Sequence, residues 1–143
     1  MMHILVINGP NLNLLGRREP NVYGSETLED LEIMLQQEAE AHGVKVSFFQ
    51  SNHEGGLIDC LHTFDGTAVI MNPGALTHYS YALRDAVAGI EAPVVEVHIS
   101  NVHSREDFRT ISVTAPVCIG QVSGFGFESY TAALHQLIRR FAP

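Results

Sequence analysis

The sequence predicts a doubly wound α/β fold: one five-stranded parallel sheet with helices on both faces. Two observations predict it. Short apolar runs that suit buried strands alternate with segments of helical periodicity along the whole chain. Five such runs fit within 143 residues, with no internal repeat, low-complexity segment or domain linker between them, so one domain is expected over residues 1–143. The strand order expected of such a sheet is 2-1-3-4-5. Ligands then bind beyond the carboxyl ends of the strands, where that order reverses.

The elements follow in order. Residues 4–7 (ILVI) form the first apolar run. Leu28, Leu31, Leu35 and Ala39 repeat at helical spacing, with Ser25 or Thr27 as cap and Gly43 as stop. Val44, Val46 and Phe48 alternate with Lys45 and Ser47, which predicts a second strand near a sheet edge. Gly55 and Gly56 lead into a short helix carrying Leu57, Ile58 and Leu61. Residues 68–71 (AVIM) give strand three and residues 72–77 a turn-rich loop. Tyr81, Leu83, Ala86, Val87 and Ile90 suit a helix that ends before Pro93. Residues 94–98 (VVEVH) give strand four. The connection at 99–111 contains a helical turn around residues 105–109. Residues 117–119 mark strand five, and Tyr130, Leu134, Leu137, Ile138 and Phe141 line a final helix.

Composition narrows the function. The hydrophobic fraction of 45% is that of an ordinary globular core. No apolar run approaches a membrane span, and Met1, Met2 and His3 lead straight into the first strand, so a cytoplasmic protein without a signal peptide or membrane contact is expected. The formal charge is −8 and Lys45 is the only lysine, which argues against a nucleic-acid partner. An anionic small molecule is compatible with that charge, because a few arginines can reverse the field inside one cleft. Cys60 and Cys118 have no CxxC spacing and sit among apolar neighbours, as buried free thiols do.

The unusual chemistry gathers in the loops after strands one, three and four. The stretch NGPNLNLLGRREPNVYG (residues 8–24) is far longer than the roughly 2–6 residues that usually join a strand to a helix. Its prolines, glycines and four asparagines suit fixed turns and directed hydrogen bonds rather than a linker. Within it, Arg18 lies five residues before Tyr23. A free phenol with a pKa near 10 is a poor base at neutral pH, but a guanidinium close by favours the phenolate. Lowering that pKa by ~2 units takes roughly 3 kcal/mol of preferential interaction. The alternative for Tyr23 is packing on Pro20. Glu96 and His98 are two apart on a strand and share a face. A carboxylate beside an imidazole fixes its tautomer and favours its charged form, which suits a proton donor; the alternative is a structural histidine. Arg105 and Arg109, four apart, share one side of a turn, either to bind an anion or to pair with Glu106 and Asp107. Asn72, Pro73 and Gly74 offer an amide and open backbone donors, and Ile99 and Ser100 add further backbone N–H groups.

Other site chemistries are weaker. There is no GxxxxGK[ST] and no GxGxxG in the first loop, and Gly124 and Gly126 are a fragment of such a pattern at most. A metal site built from His78, Glu96, His98 and His103 lacks the tighter spacing of dedicated zinc motifs. A phosphorylated receiver or flavin-binding module of the same fold lacks the acidic cluster or the phosphate loop.

Together these residues resemble the type II 3-dehydroquinate dehydratases. The matching segments are residues 8–24, QSNHEGG (50–56), NPGALTH (72–78) with ALRD (82–85), and EVHISN (96–101) with REDFR (105–109). They span nearly the whole chain. Ala75, Tyr79 and Tyr81 depart from the usual pattern, as does the segment 117–127. The resemblance implies a flavodoxin-like subunit, a dodecamer of four trimers, and dehydration of 3-dehydroquinate without cofactor or metal. It implies Tyr23 as base, Arg18 as the group that keeps it anionic, and Asn11 as a holder of water or oxyanion. His98 would be the general acid, supported by Glu96. Asn72, His78, Ile99, Ser100 and Arg109 would bind substrate, with Arg105 closing the lid and Asp85 reaching a neighbouring subunit's site.

Overall fold

The computed structural model describes residues 1–17, 21 and 24–143. Strands β1 (His3–Asn8), β2 (Lys45–Gln50), β3 (Ala68–Asn72), β4 (Val94–His98) and β5 (Gly120–Ser123) form one parallel sheet. Its order is β2-β1-β3-β4-β5, the order expected of that fold class. The α-helices among the described residues are α1 (Leu28–Ala41), α2 (Glu54–Thr63), α3 (Tyr81–Gly89) and α4 (Glu128–Phe141). No described helix is long and apolar enough to cross a membrane.

The period of two along each strand divides the core into two layers. Ile4, Val6, Ile70, Val95 and Val97 face one side, where they pack with Leu31 and Leu35 of α1 and Leu134 and Leu137 of α4. Leu5, Ile7, Val69, Met71 and Val94 face the other, against Leu57 and Leu61 of α2 and Leu83 and Val87 of α3. Each such leucine contributes roughly 1.5–3 kcal/mol by leaving water. Local signals agree with this packing. Thr27 and Asp30 form a reciprocal capping box at the start of α1, and Gly43, at φ +67°, takes the left-handed turn beyond its end. The Ser80 hydroxyl accepts from the Leu83 N–H at the start of α3. β2 is an edge strand with Lys45 exposed and Val44 and Val46 buried, so the only lysine points away from the core face.

Three sequence expectations shift. The fifth strand begins at Gly120, not Val117; residues 115–117 form a 3-10 turn whose Val117, with Cys118, packs against the α2 and α3 layer. The apolar signal there came from a core cover, and sheet pairing starts only where the Ile119 N–H donates to the Val94 carbonyl at 2.8 Å. Gly55 and Gly56 lie inside the first turn of α2 rather than before it. Arg105 and Arg109 do not share one helical turn: 3-10 turns at Val102–Ser104 and Asp107–Thr110 are separated by extended backbone at Arg105 and Glu106.

The reversal of strand order falls between β1 and β3, and there the backbones pack closely. Gly9 follows β1, and its N–H donates to the Asn72 carbonyl at 2.8 Å. A Cβ on Gly9 would sit on the Pro73 carbonyl, a backbone group with no rotamer to yield. Gly9→Ala is therefore expected to destabilise the fold by about 1–3 kcal/mol, the usual range for overpacking a rigid site. Urea unfolding of the variant measures it, and a midpoint unchanged from wild type would contradict the packing described.

Candidate active site

The ends of β1, β3 and β4 open onto one cleft. Asn11, Asn72, His78, His98, Ile99, Ser100, Arg105 and Arg109 all line it. Glu96 lies beneath His98. Asp85 is exposed on α3 and does not line this cleft. Arg18 and Tyr23 lie outside the described residues.

His98 and Glu96 are the last and third-last residues of β4, so both project to the α3 side of the sheet. His98 Nε2 is 2.8 Å from Glu96 Oε2, and both side chains are buried. Around the same carboxylate converge Thr77 Oγ1 at 2.9 Å, Ser112 Oγ at 2.9 Å, Gln121 Nε2 at 2.8 Å and the Thr114 hydroxyl. Burial raises the pKa of Glu96, but the hydrogen bonds from His98, Thr114 and Thr77 outweigh it, and the carboxyl sits below its ordinary value. It is held as an acceptor-only carboxylate. The Glu96 contact occupies Nε2 of His98, so Nδ1, which has no protein partner among the described residues, is the nitrogen left for a ligand.

Asn72 is fixed by a second buried network. Its side-chain carbonyl accepts from the Gly74 N–H at 3.1 Å, and its amide donates to the Tyr130 hydroxyl at 2.9 Å. Tyr130 in turn donates to Asn8 Oδ1 at 2.6 Å. Burial pushes the Tyr130 phenol well above its ordinary pKa, so it remains a neutral donor. One of the two Asn72 amide hydrogens is then left to face the cleft.

The other lining groups come from loops. Asn11 adopts a left-handed conformation, φ +71°, and its N–H donates to Asn52 Oδ1 at 2.9 Å. That contact ties the first loop to the segment after β2. His78 Nδ1 lies 2.8 Å from the Ile111 carbonyl, so Nδ1 carries the proton and Nε2 is the acceptor when the ring is neutral. Burial lowers its pKa, which favours that neutral form. Arg109 donates from Nε to Glu106 at 3.0 Å and lies over the Phe108 ring at 4.7 Å. Arg105 reaches Ser100 Oγ at 3.4 Å. Both guanidinium groups are mostly buried and border the cleft, so the pair does more than form a solvated surface charge.

The residues that support these groups are not marked in the sequence. In the sequence Tyr130 reads as part of the apolar side of the last helix, and Asn8 as one of the first loop's asparagines. Thr77, Ser112, Thr114 and Gln121 carry no signal as ligands of one carboxylate, because four polar residues scattered over 45 positions share no spacing. The one usable sign was Glu96 itself, a carboxylate inside an apolar strand that needs donors wherever they come from. The metal grouping of His78, Glu96, His98 and His103 is not assembled: among the described residues, the metal-ligand atoms that cluster lie elsewhere. Burial raises the thiol pKa of both cysteines, that of Cys118 to about 12, so neither is a ready nucleophile.

Comparison with known proteins agrees with this geometry. Residues 2–138 match the family model for dehydroquinase class II. The chain is 60% identical over 142 residues to 3-dehydroquinate dehydratase of Bacillus cytotoxicus, covering 98% of this chain and 97% of that one. Its structure is similar to that of type II dehydroquinase from Butyrivibrio crossotus, with TM-score 0.93 and 50% identity, covering 95% of this chain and 97% of the other. It is similar also to type II dehydroquinase from Propionibacterium acnes, with TM-score 0.94 and 40% identity over 97% of each chain. A cleft at the strand-order reversal, lined by a carboxylate-backed histidine and two arginines, and a family match over nearly every residue lead to one conclusion: this chain belongs to the class II dehydroquinases, the type II 3-dehydroquinate dehydratases.

Proposed function

We propose that the chain dehydrates 3-dehydroquinate to 3-dehydroshikimate, a step of the shikimate pathway or of quinate breakdown, by anti elimination through an enolate. The observation that carries this reading is the buried Glu96–His98 pair opening on a cleft bordered by Arg105 and Arg109. An imidazolium with Nε2 committed to a carboxylate presents Nδ1–H to a departing hydroxyl, and guanidinium groups suit the substrate's carboxylate.

In the proposed cycle Tyr23, as phenolate beside Arg18, takes the proton alpha to the ketone, and electron density moves onto the ketone oxygen. Asn11 holds the water or oxyanion at that stage. The enolate then re-forms the ketone and expels the β-hydroxyl, which takes the His98 proton and leaves as water. Tyr23 is left protonated and His98 neutral, and solvent resets both. Asn72, His78, Arg109 and the Ile99–Ser100 backbone hold hydroxyls and carboxylate, while Arg105 closes the cleft. No step asks for a metal or cofactor. Asp85 is exposed and does not line its own subunit's cleft, which suits the proposed reach into a neighbouring site of a dodecamer built from four trimers.

Adding 3-dehydroquinate and following the conjugated enone in the ultraviolet tests the activity. Tyr23→Phe is expected to lose about 10²–10⁴-fold in kcat with binding largely kept, and to abolish enzyme-catalysed exchange of the alpha proton in NMR. Exchange at the wild-type rate would remove Tyr23 as the base. Arg18→Gln raises the pKa of the basic group, and since activity rises as that group ionises, the acid limb of kcat/KM is expected to move to higher pH.

Glu96 adds a stability prediction. Its folded pKa is depressed, so its contribution is present above the unfolded value and is lost as pH falls through the folded one. Wild type is therefore expected to exceed Glu96→Gln in stability at pH 7, with the gap narrowing on acidification below about pH 4.5. A gap independent of pH in denaturant titrations would show that the carboxylate charge plays no part.

A further inference from the structure

At the other end of the sheet, away from the cleft, three ligand-type side chains meet. Glu38 and His42 are four apart at the end of α1, and His135 lies midway along α4. His135 Nε2 is 2.6 Å and His42 Nε2 3.7 Å from the same atom, Glu38 Oε1. The two imidazoles touch edge to face, with centroids 5.4 Å apart. One ligand atom from each of the three residues lies within 4.8 Å of the others.

Their backbones are not free to drift. Leu31, Leu35 and Ala39 of α1 and Leu134 and Leu137 of α4 are buried in the same core layer. His42 is anchored as the last cap of α1, its N–H on the Ala39 and Glu40 carbonyls. The side chains themselves are accessible: Glu38 is half-buried, and both histidines are exposed. Two helices fixed by packing thus present three donors to solvent at one point.

We propose that Glu38, His42 and His135 form a surface site for a divalent transition-metal ion, with Zn2+ the best fit, that links α1 to α4 without entering the reaction. Two imidazole nitrogens and one carboxylate oxygen are a common three-ligand set for zinc, with water in the fourth position. Bonds of about 2.0–2.2 Å place tetrahedral ligand atoms roughly 3.3 Å apart. The present spread reaches that geometry by rotamer shifts of about 1 Å in exposed side chains. The hydrogen bond from His135 to Glu38 is then exchanged for two metal bonds. A net charge of −8 favours a cation at the surface, and imidazole with carboxylate selects Zn2+, Ni2+ or Cu2+ over Mg2+ or Ca2+.

The probe is ZnCl2 added to metal-stripped full-length protein, with a fluorescent chelator in competition. Wild type is expected to bind one zinc per chain that the His42→Ala/His135→Ala double variant does not. Each single variant is expected to weaken that site by at least about tenfold, whereas His62→Ala, an exposed histidine on α2, leaves it unchanged. Zinc is expected to raise the Tm of wild type and not that of the double variant, because an ion that binds only the folded state stabilises it. Stripping the metal is expected to reverse that Tm gain and leave kcat/KM unaltered. Equal zinc stoichiometry and affinity in wild type and double variant would overturn the proposal, as would a kcat/KM that depends on occupancy of this site.

Discussion

The structure depends on one hydroxyl. Tyr130 reaches up from α4 between the ends of β1 and β3, where it donates to Asn8 and accepts from Asn72. Those two asparagines are register partners at the point where the strand order reverses. In a parallel sheet the last residues of neighbouring strands point polar groups into the opening of the crevice, and buried ones need partners. The phenol satisfies both asparagines at once. It holds Asn72 with its carbonyl toward Gly74 and one amide hydrogen toward the cleft. Without it, two buried side-chain amides would lose a partner, at a desolvation cost of about 1–3 kcal/mol each. Burial keeps the phenol protonated, so the bridge does not titrate near neutral pH.

The Glu96 cluster follows the same logic on the opposite face of the sheet. A carboxylate in a central strand has lost its water, and its charge survives because donors arrive from three directions. Thr77 comes from the turn after β3, Ser112 and Thr114 from the connection after β4, and Gln121 from β5. These bonds tie the segment 111–114 to the body of the protein. The Val113 N–H donates to the Thr77 carbonyl at 2.7 Å, Arg84 donates to the Val113 carbonyl at 3.2 Å, and His78 engages Ile111. The connection that carries Arg105 and Arg109 is thereby pinned at its far end by the same carboxylate that orients His98. Positioning of His98 and anchoring of the arginine-bearing loop are one network.

Much of this was legible from the sequence, and the boundary has a physical origin. The strands, the helices and the loops that meet at the cleft follow from hydrophobic period, a local property of the chain, and the strand order from the fold class they suggest. Glu96 and His98 were legible because two residues on one strand must share a face. Strand five was misplaced because Val117 and Cys118 are apolar for a different reason, as cover for the α2 and α3 layer. The arginines were placed on one turn by spacing alone, whereas 3-10 turns around an extended step bring them to the same cleft. Tyr130 and Thr114 were illegible as site residues. Their partners lie 122 and 18 positions away, and nothing in a single chain marks such pairs.

The departures at Ala75, Tyr79 and Tyr81 find their place in the same geometry. Ala75 lines the cleft between Gly74 and the buried Leu76, where a methyl adds surface without meeting the core. Tyr79 and Tyr81 are 62% and 67% exposed at the start of α3, and they flank Ser80, whose hydroxyl caps that helix. Their rings therefore do not bear on the α2 and α3 layer, and the cap that fixes the direction of α3 is retained. Asp85 lies four residues beyond Tyr81, on the next turn of the same side of α3. In the proposed assembly that side faces the neighbouring subunit. The bulk added by Tyr81 falls on that exposed side, not on the Glu96–His98 pair. Substitutions in this stretch leave His98 and its network as the sheet sets them.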